Sequence, residues 1–262
     1  MTHNSLSLSE TEAHRALQVV RDEKQIISEK LTEIDRFRRK VHRMDTVDGS
    51  PTDGVQRNPG GDVRAVSTQH PGYTCGDVID AFEDTLNNCE EATSVQRAIA
   101  GELGKEVAAL LLQNDGANLT SELKGAVLLS VDERRSQLRV LEEALRTEQE
   151  SVNSTVELVE SINDGTVTEE TPVSLGFDEL RQRHEDLVCL KEDCESRIQR
   201  RQQTLCGTTK EASAAGLRHM SLVECLYEEL PPDHPVLSTL TEAVRVCERK
   251  EREAREYICR AV

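Results

Sequence analysis

Apolar residues recur at alternating steps of four and three along three long stretches of the chain. In the first stretch, Lys24 and Arg38 occupy two positions of the repeat, whose apolar members are Ala13, Leu17, Val20, Ile27, Leu31, Ile34 and Val41. A seven-residue repeat of this kind is typical of a helix that buries a narrow stripe against a partner helix. The pattern therefore predicts a helical, elongated protein. It does not indicate a reaction or a ligand.

Two further stretches continue this pattern. One predicts a helix of roughly 44 residues from near Thr120, which would be about 65 Å long. Its repeat contains Val127, Val131, Arg134, Leu138, Leu141, Leu145, Glu148, Val152, Thr155, Val159 and Ile162. The next repeat contains Phe177, Leu180, His184, Leu187, Lys191, Cys194, Ile198, Arg201 and Leu205. We expect these two helices to pack antiparallel as a hairpin.

The interruptions of the pattern predict three segments. Residues 1–45 are predicted to form an N-terminal coiled-coil helix. Residues 46–74 are polar, contain three prolines and five glycines, and are predicted to be a flexible linker. Residues 75–262 are predicted to form a helical bundle, with a long hairpin over about 118–206 and C-terminal helices after it.

Local signals predict the limits of the shorter helices. Gly101 and Gly104 are expected to separate a short helix from the apolar segment that follows. Ser221 and Glu224 have the spacing of a capping box and are expected to open a helix that the Pro231-Pro232 pair ends. No alternation typical of strands competes with these signals. The predicted fold class is therefore all-α, with long antiparallel helices in a coiled-coil-like bundle and a cluster of short helices.

The chain is strongly acidic, with a formal net charge of −17 at pH 7 and aromatic residues at only 2%. Residues 75–170 alone contain 21 acidic and 7 basic side chains. Such acidity opposes phosphate backbones, so general nucleic-acid binding is not expected. Together with this acidity, the use of 8 lysines against 24 arginines indicates a halophilic source. Molar salt shortens the Debye length to about 3 Å, so the repulsion between acidic side chains is screened. An ordinary acidic coiled coil is the alternative interpretation.

The sequence predicts a cytoplasmic protein that does not enter the membrane. Its N-terminus has no basic start followed by an apolar run, as a secretory signal would. The longest apolar run, Val107–Leu112, is far shorter than the ~20 residues that cross a bilayer. The eight cysteines form no CxxC pair and are expected to be small buried hydrophobic side chains. Disulfides, metal ligation and catalysis are the alternatives.

No catalytic, cofactor-binding or metal-binding residue is predicted, and we expect a protein that is not an enzyme. The sequence has no glycine-rich phosphate loop, serine elbow or HExxH motif. His184, Cys189 and Cys194 lie five residues apart, which rotates successive side chains by about 140° around a helix. One ion is then not expected to reach all three. His219 and Cys225 are no better placed.

Two groups of polar residues leave alternatives open. The dense basic cluster Asp35–Arg43 is either a solvated face near a helix C-terminus, or a contact with an acidic partner or with the acidic middle of this chain. Lys24, Arg38, Arg134 and Glu148 lie inside apolar seams. Such residues either select register and partner or extend to solvent at the edge of the bundle.

Five segments carry a resemblance to a known family. They are Ala81–Leu86, Ala98–Leu110, Leu119–Lys124, Glu224–Tyr227 and His234–Thr239. They resemble a family of uncharacterised haloarchaeal helical proteins, which is classed as a domain of unknown function. The resemblance covers most of the chain except the 45–74 linker. It implies halophily and helices, and it supplies no activity and no site residues.

Our first hypothesis for the function is a non-enzymatic cytoplasmic scaffold or partner-binding protein without a cofactor, which binds a protein partner or itself through its helical seams. The alternative is a regulatory nucleic-acid-associated protein that uses the basic end of the first helix and the turn Leu230–Asp233. A DNA-binding helix-turn-helix motif needs a basic recognition helix. The first cation of the helix after this turn is Arg245, so this helix is poorly suited to bind DNA.

Overall fold

The computed structural model describes residues 11–47, 72–86, 95–166, 175–206 and 218–261, which contain eight helices. They are α1 (Glu12–Arg43), α2 (Cys75–Leu86), α3 (Val95–Leu103), α4 (Lys105–Gln113), α5 (Ser121–Thr166), α6 (Phe177–Cys206), α7 (His219–Leu226) and α8 (Pro235–Ala261). In this part of the chain there is no strand, and one isolated antiparallel bridge pairs Thr74 with Asn118. The all-α fold class is confirmed.

The chain divides into two compact units. Unit 1 contains the residues up to Ile26 and those from Val140 onward, and unit 2 contains Ile27–Arg139. Helices α1 and α5 each contribute one part to either unit. Most of the expected linker 46–74 lies outside the described residues, so the domain boundaries drawn from the sequence remain a prediction.

The seven-residue repeats correctly identify the buried faces of the long helices. In α5 the fully buried members are Val127, Val131, Leu145, Glu148, Val152, Val159 and Ile162. In α1 they are Ala13, Val20, Ile34 and Val41. Phe177, at the start of α6, is an exception because 47% of it is exposed. The apolar stripe, rather than the overall hydrophobicity of each helix, therefore determines which face is buried.

The core of unit 1 is formed by the start of α1, the end of α5, and helices α6, α7 and α8. Helix α6 packs along α8. Against α5, Arg201 reaches Glu148 and Arg197 reaches the carbonyl of Ser154. Because the contact position moves forward on α5 as it moves backward on α6, these two helices run antiparallel, as the sequence predicts.

The core of unit 2 includes an aromatic pair from α1 and α2. The rings of Phe37 and Phe82 have centroids 5.6 Å apart and are nearly perpendicular, which is a favourable edge-to-face geometry. Helix α4 packs against α2 and α3, and Gly104, whose φ is +90°, separates α3 from α4. Gly101, in contrast, lies inside α3, so the expectation that it also divides these helices is wrong.

The starts of the helices follow some of the expected signals. Thr74 and Asp77 cap α2 reciprocally, since each accepts a hydrogen bond from the backbone N–H of the other; this capping pair was not anticipated from the sequence. Helix α7 begins at His219, with Arg218 as the N-cap and without a side-chain cap. The Ser221–Glu224 pair therefore lies inside the helix, and the expected capping box there is wrong.

The described cysteines are all free thiols. Three are buried, namely Cys75, Cys194 and Cys247, whereas Cys189, Cys206, Cys225 and Cys259 are exposed. The expectation that the cysteines act as buried hydrophobic side chains is thus right only for the first three. Across the described residues, no helix combines the length and the apolar character that a membrane span requires.

Candidate functional site

A carboxylate is fully buried in unit 1. Glu148 occupies a repeat position of α5, so the helix directs it inward, and none of its surface is exposed. Arg201 occupies a repeat position of α6 and is 4% exposed. Its Nη1 lies 2.6 Å from Oε2 of Glu148, and its Nη2 lies 2.8 Å from Oε1. The guanidinium therefore binds the carboxylate with both of its terminal nitrogens, which is the strong geometry for this pair.

Helix α7 and the residue after it add two more donors. His219, at the first position of α7, places Nε2 at 2.8 Å from Oε2 of Glu148. The hydroxyl of Tyr227 lies 2.6 Å from Oε1. An ionised carboxylate only accepts hydrogen bonds, so both His219 and Tyr227 donate to it. The four residues, which we call the Glu148 cluster, thus connect α5, α6 and the α7 region through one carboxylate.

The cluster changes the ionisation of its members. Burial would raise the pKa of Glu148, but hydrogen bonds from His219, Arg201 and Tyr227 and the charge of Arg201 outweigh it and lower this pKa to about 2. Burial and the charge of Glu148 raise the pKa of Tyr227. At neutral pH the carboxylate is therefore ionised and the phenol keeps its proton. This arrangement can hold three elements in one register.

A cavity of about 200 Å³ lies beside the cluster in unit 1. Helix α5 contributes Ser151, Ser154 and Thr155 to its lining, α6 contributes Arg197, Arg200, Arg201 and Thr204, and α8 contributes Val236 and Leu240. None of these lining residues is acidic. Ser151 connects the cavity to the cluster, since Nη1 of Arg201 lies 3.3 Å from its hydroxyl oxygen. We refer to this space as the arginine cavity.

Unit 2 contains a larger and more apolar space of about 430 Å³, which we call the apolar cleft. Its lining residues are Cys75, Leu110, Asn114, Ala117, Asn118, Thr120, Glu122, Leu123 and Ala126. Leu110, on α4, is 46% exposed. The volume lies within the range of about 300–1,000 Å³ that is usual for binding pockets.

Part of the basic cluster at the end of α1 is engaged within unit 2. Arg38 pairs with Asp132 at 2.6 Å, and Lys40 pairs with Asp84 at 3.3 Å. Both carboxylates belong to the acidic middle of the chain, so the interpretation that the cluster contacts this region is confirmed for these two cations. The alternative that this end of the helix binds nucleic acid remains a prediction.

The other polar seam residues also have partners. Lys24 donates to Gln149 at 2.9 Å, and Arg134 donates to Glu102 at 2.8 Å. Burial would raise the pKa of Glu102, but ion pairs with Lys30 and Arg134 lower it. Glu148 has no exposed surface, so the interpretation that it extends to solvent is wrong.

The histidine and cysteine candidates lie in different surroundings. His184 lies 3.6 Å from Glu251, Cys189 is exposed, and Cys194 is buried and hydrogen-bonded to Cys247. In the part of the chain that the structure describes, no three His, Cys, Asp or Glu side chains gather as a metal site. That the protein binds no metal and no cofactor remains a prediction.

The comparisons with known proteins give one match. A family model described as a domain of unknown function (DUF7260) matches residues 11–251. The chain belongs to this family. Membership in DUF7260 confirms the resemblance to an uncharacterised domain family, whereas the haloarchaeal source and the halophily remain predictions. Neither the curated proteins nor the solved structures gave a match to this DUF7260 chain.

The sequence did not reveal that Arg201, His219 and Tyr227 converge on Glu148. A signal was nevertheless present for one of them. Glu148 and Arg201 are oppositely charged residues in the seams of two helices that were expected to pair antiparallel. His219 and Tyr227 lie eight residues apart at the two ends of a short helix, and no periodic pattern relates them to a carboxylate on α5.

Proposed function

We propose that this DUF7260 protein is a non-enzymatic helical scaffold that binds a protein partner at the apolar cleft of unit 2. The observation that supports this proposal most strongly is the cleft itself, where Leu110 is nearly half exposed in a chain with few apolar residues. Soluble proteins rarely leave grouped apolar side chains in water unless another surface covers them.

The cleft has the composition of a small interface. Leu110, Ala117 and Leu123 supply apolar surface, and Asn114 and Asn118 supply polar groups beside it. An apolar centre with a polar rim is typical of surfaces that bind proteins. The occupant we propose is an apolar side chain on a segment of the partner, which would fill the cleft.

Two exposed side chains near the cleft favour a protein over a small molecule. Val47 is 40% exposed and Tyr73 is 42% exposed. The backbones of both are hydrogen-bonded to Leu119, at 3.1 Å and 2.7 Å, and Leu119 follows the lining residue Asn118. A ligand that filled only the cleft would leave these side chains in water, whereas a protein surface would cover them together with Leu110.

The non-enzymatic part of the proposal is supported by the Glu148 cluster. The four hydrogen-bond donor atoms of Arg201, His219 and Tyr227 all point to one carboxylate, which has no exposed surface. A general acid or base must come within hydrogen-bond distance of its substrate, and Glu148 is enclosed by its own partners. We assign the cluster to the stability and register of unit 1, which lets the chain serve as a rigid support.

The proposal is tested by comparing partner capture by two variants of the full chain. Leu110→Glu places a charge in the cleft and is expected to weaken partner binding by roughly 30-fold, as loss of a binding hot spot does. Leu129→Glu is the matched control, because Leu129 is 72% exposed in the same unit and does not line the cleft. Bound proteins from a molar-salt lysate are quantified by mass spectrometry.

The expected result is one or more proteins that the wild type and Leu129→Glu retain and Leu110→Glu loses. Circular dichroism verifies that both variants keep their helix content. Identical sets of bound proteins for all three chains would overturn the proposal.

A further inference from the structure

We propose that the arginine cavity of unit 1 binds a small phosphate-type oxyanion, either inorganic phosphate or the phosphate group of a small ester. This site is separate from the apolar cleft, and it does not depend on the partner-binding function. The proposal is based on the charge, the hydrogen-bond donors and the size of the cavity.

The charge of the lining favours an anion. The charge of Arg201 is balanced by Glu148, but neither Arg197 nor Arg200 forms an ion pair with a described residue. None of the described lining residues is acidic. Two guanidinium groups without a counter-charge among the described residues therefore line one small space, in a chain whose net charge is −17. Like charges held together are unfavourable, and a bound dianion would remove this cost.

Free donors are available at three lining residues besides Arg201. Arg197 uses Nη1 for the carbonyl of Ser154 at 2.7 Å, so its other nitrogens remain available. Arg200 is exposed and has no side-chain partner among the described residues. The hydroxyl oxygen of Ser151 accepts from Arg201, which leaves the Ser151 proton free to donate. Arginine and hydroxyl donors together are typical of phosphate recognition.

The other hydroxyl groups of the lining are already engaged. Those of Ser154 and Thr155 donate to the carbonyl of Ser151, and that of Thr204 donates to the carbonyl of Arg200. In addition, Nε of Arg201 is buried without a hydrogen-bond partner among the described atoms. The donors that remain for an anion thus belong to Arg197, Arg200 and Ser151, and Nε of Arg201 is a further donor without a partner.

The size of the cavity limits the ligand. Its volume of about 200 Å³ is below the ~300 Å³ at which drug-sized ligands begin to fit. Val236 and Leu240 form its apolar wall. None of the described lining residues has an aromatic ring on which a base could stack. A nucleotide is therefore a poor fit, and a free phosphate or a small phosphate ester is a good one.

The test is isothermal titration of the full chain with inorganic phosphate and, separately, with glycerol phosphate, at a constant concentration of KCl. Arg200→Gln removes a donor that has no hydrogen-bonded or charged side-chain partner among the described residues, so the variant is expected to stay folded and to bind phosphate about tenfold more weakly. Ser151→Ala is expected to weaken binding as well. Arg181→Gln is the matched control, because Arg181 is exposed on the same helix and pairs with Glu185.

The expected result is saturable binding of one phosphate per chain, which Arg200→Gln weakens and Arg181→Gln does not. Tighter binding of glycerol phosphate than of phosphate would identify an ester as the ligand, and the opposite order would identify the free anion. Either order supports the site. Absence of saturable binding, or equal weakening by Arg181→Gln and Arg200→Gln, would overturn the proposal. Partner capture by the cleft is unaffected by either outcome.

Discussion

Neutralising the carboxylate of the Glu148 cluster tests whether the cluster holds unit 1 together. Glu148→Gln keeps the size of the side chain and removes its charge. Two of the four donors then face an amide NH₂ group instead of an oxygen atom. Arg201, which is 4% exposed, becomes a buried cation without a counter-charge.

The expected loss of stability follows from these contacts. Removing one partner of a buried ion pair costs about 3–5 kcal/mol, because the remaining charge is left uncompensated. Each hydrogen bond to a charged group contributes about 1.5–3 kcal/mol, so Tyr227→Phe, which removes one donor and keeps the ion pair, should cost less. We therefore expect the free energy of unfolding to fall by about 3–5 kcal/mol in Glu148→Gln and by about 2 kcal/mol in Tyr227→Phe.

Urea unfolding at neutral pH, followed by circular dichroism at a fixed salt concentration, measures these differences. Glu150→Gln is the matched control, because Glu150 lies on the same helix, its side chain is 63% exposed, and it pairs with Arg146. An exposed pair of this kind contributes less than about 1 kcal/mol. If the free energy of unfolding of Glu148→Gln were within about 0.5 kcal/mol of that of the control, the interpretation of the cluster as a stabilising centre would be refuted.

Three further outcomes follow from the structure. The pKa of Glu148 is lowered from 4.5 to about 2 in the folded chain, so the cluster contributes about 3 kcal/mol above pH 4.5 that is lost as the pH falls towards 2. Other carboxylates also lose their partners in acid, so urea melts across this range should show a loss of stability that is about 3 kcal/mol larger in the wild type than in Glu148→Gln. Phe37→Ala removes one ring of the aromatic pair with Phe82 and leaves a cavity, so it should lower the free energy of unfolding by about 3–5 kcal/mol. Leu129→Ala, at an exposed position, should change the free energy of unfolding by less than about 0.5 kcal/mol in the same urea assay. Because residues 75–170 contain 21 acidic and 7 basic side chains, the melting temperature should rise between about 0.1 and 2 M KCl as repulsion is screened, and a melting temperature independent of salt would contradict the halophile hypothesis.

Helix positions were largely predictable because the seven-residue repeat arises from the apolar residues on the buried face of each helix. The repeat places Val127 and Ile162 at the two ends of one buried stripe, and both are fully buried. Helix starts were less predictable because a capping signal is only three or four residues long. Thr74 and Asp77 form such a cap, whereas Ser221 has the same kind of spacing and lies inside a helix.

The candidate sites were not predictable, since they depend on contacts between distant segments. Glu148 and His219 are 71 residues apart, and no local pattern joins them. The apolar cleft likewise combines Cys75 with Leu110 and Leu123 from three different helices. From the sequence, Glu148 is only a polar residue in an apolar seam. Its role as the centre of the cluster follows from the residues that the fold places around it.

Photo-crosslinking at the apolar cleft tests the partner-binding proposal most directly. Leu110 is replaced in the full chain by the photo-reactive residue p-benzoylphenylalanine, and Leu129 is replaced in the same way as the exposed control in unit 2. Cells that produce each variant are irradiated, and covalent adducts are detected by gel electrophoresis and mass spectrometry. The proposal predicts a defined protein adduct at position 110 that is absent at position 129. No adduct at position 110, or the same adducts at both positions, would contradict it.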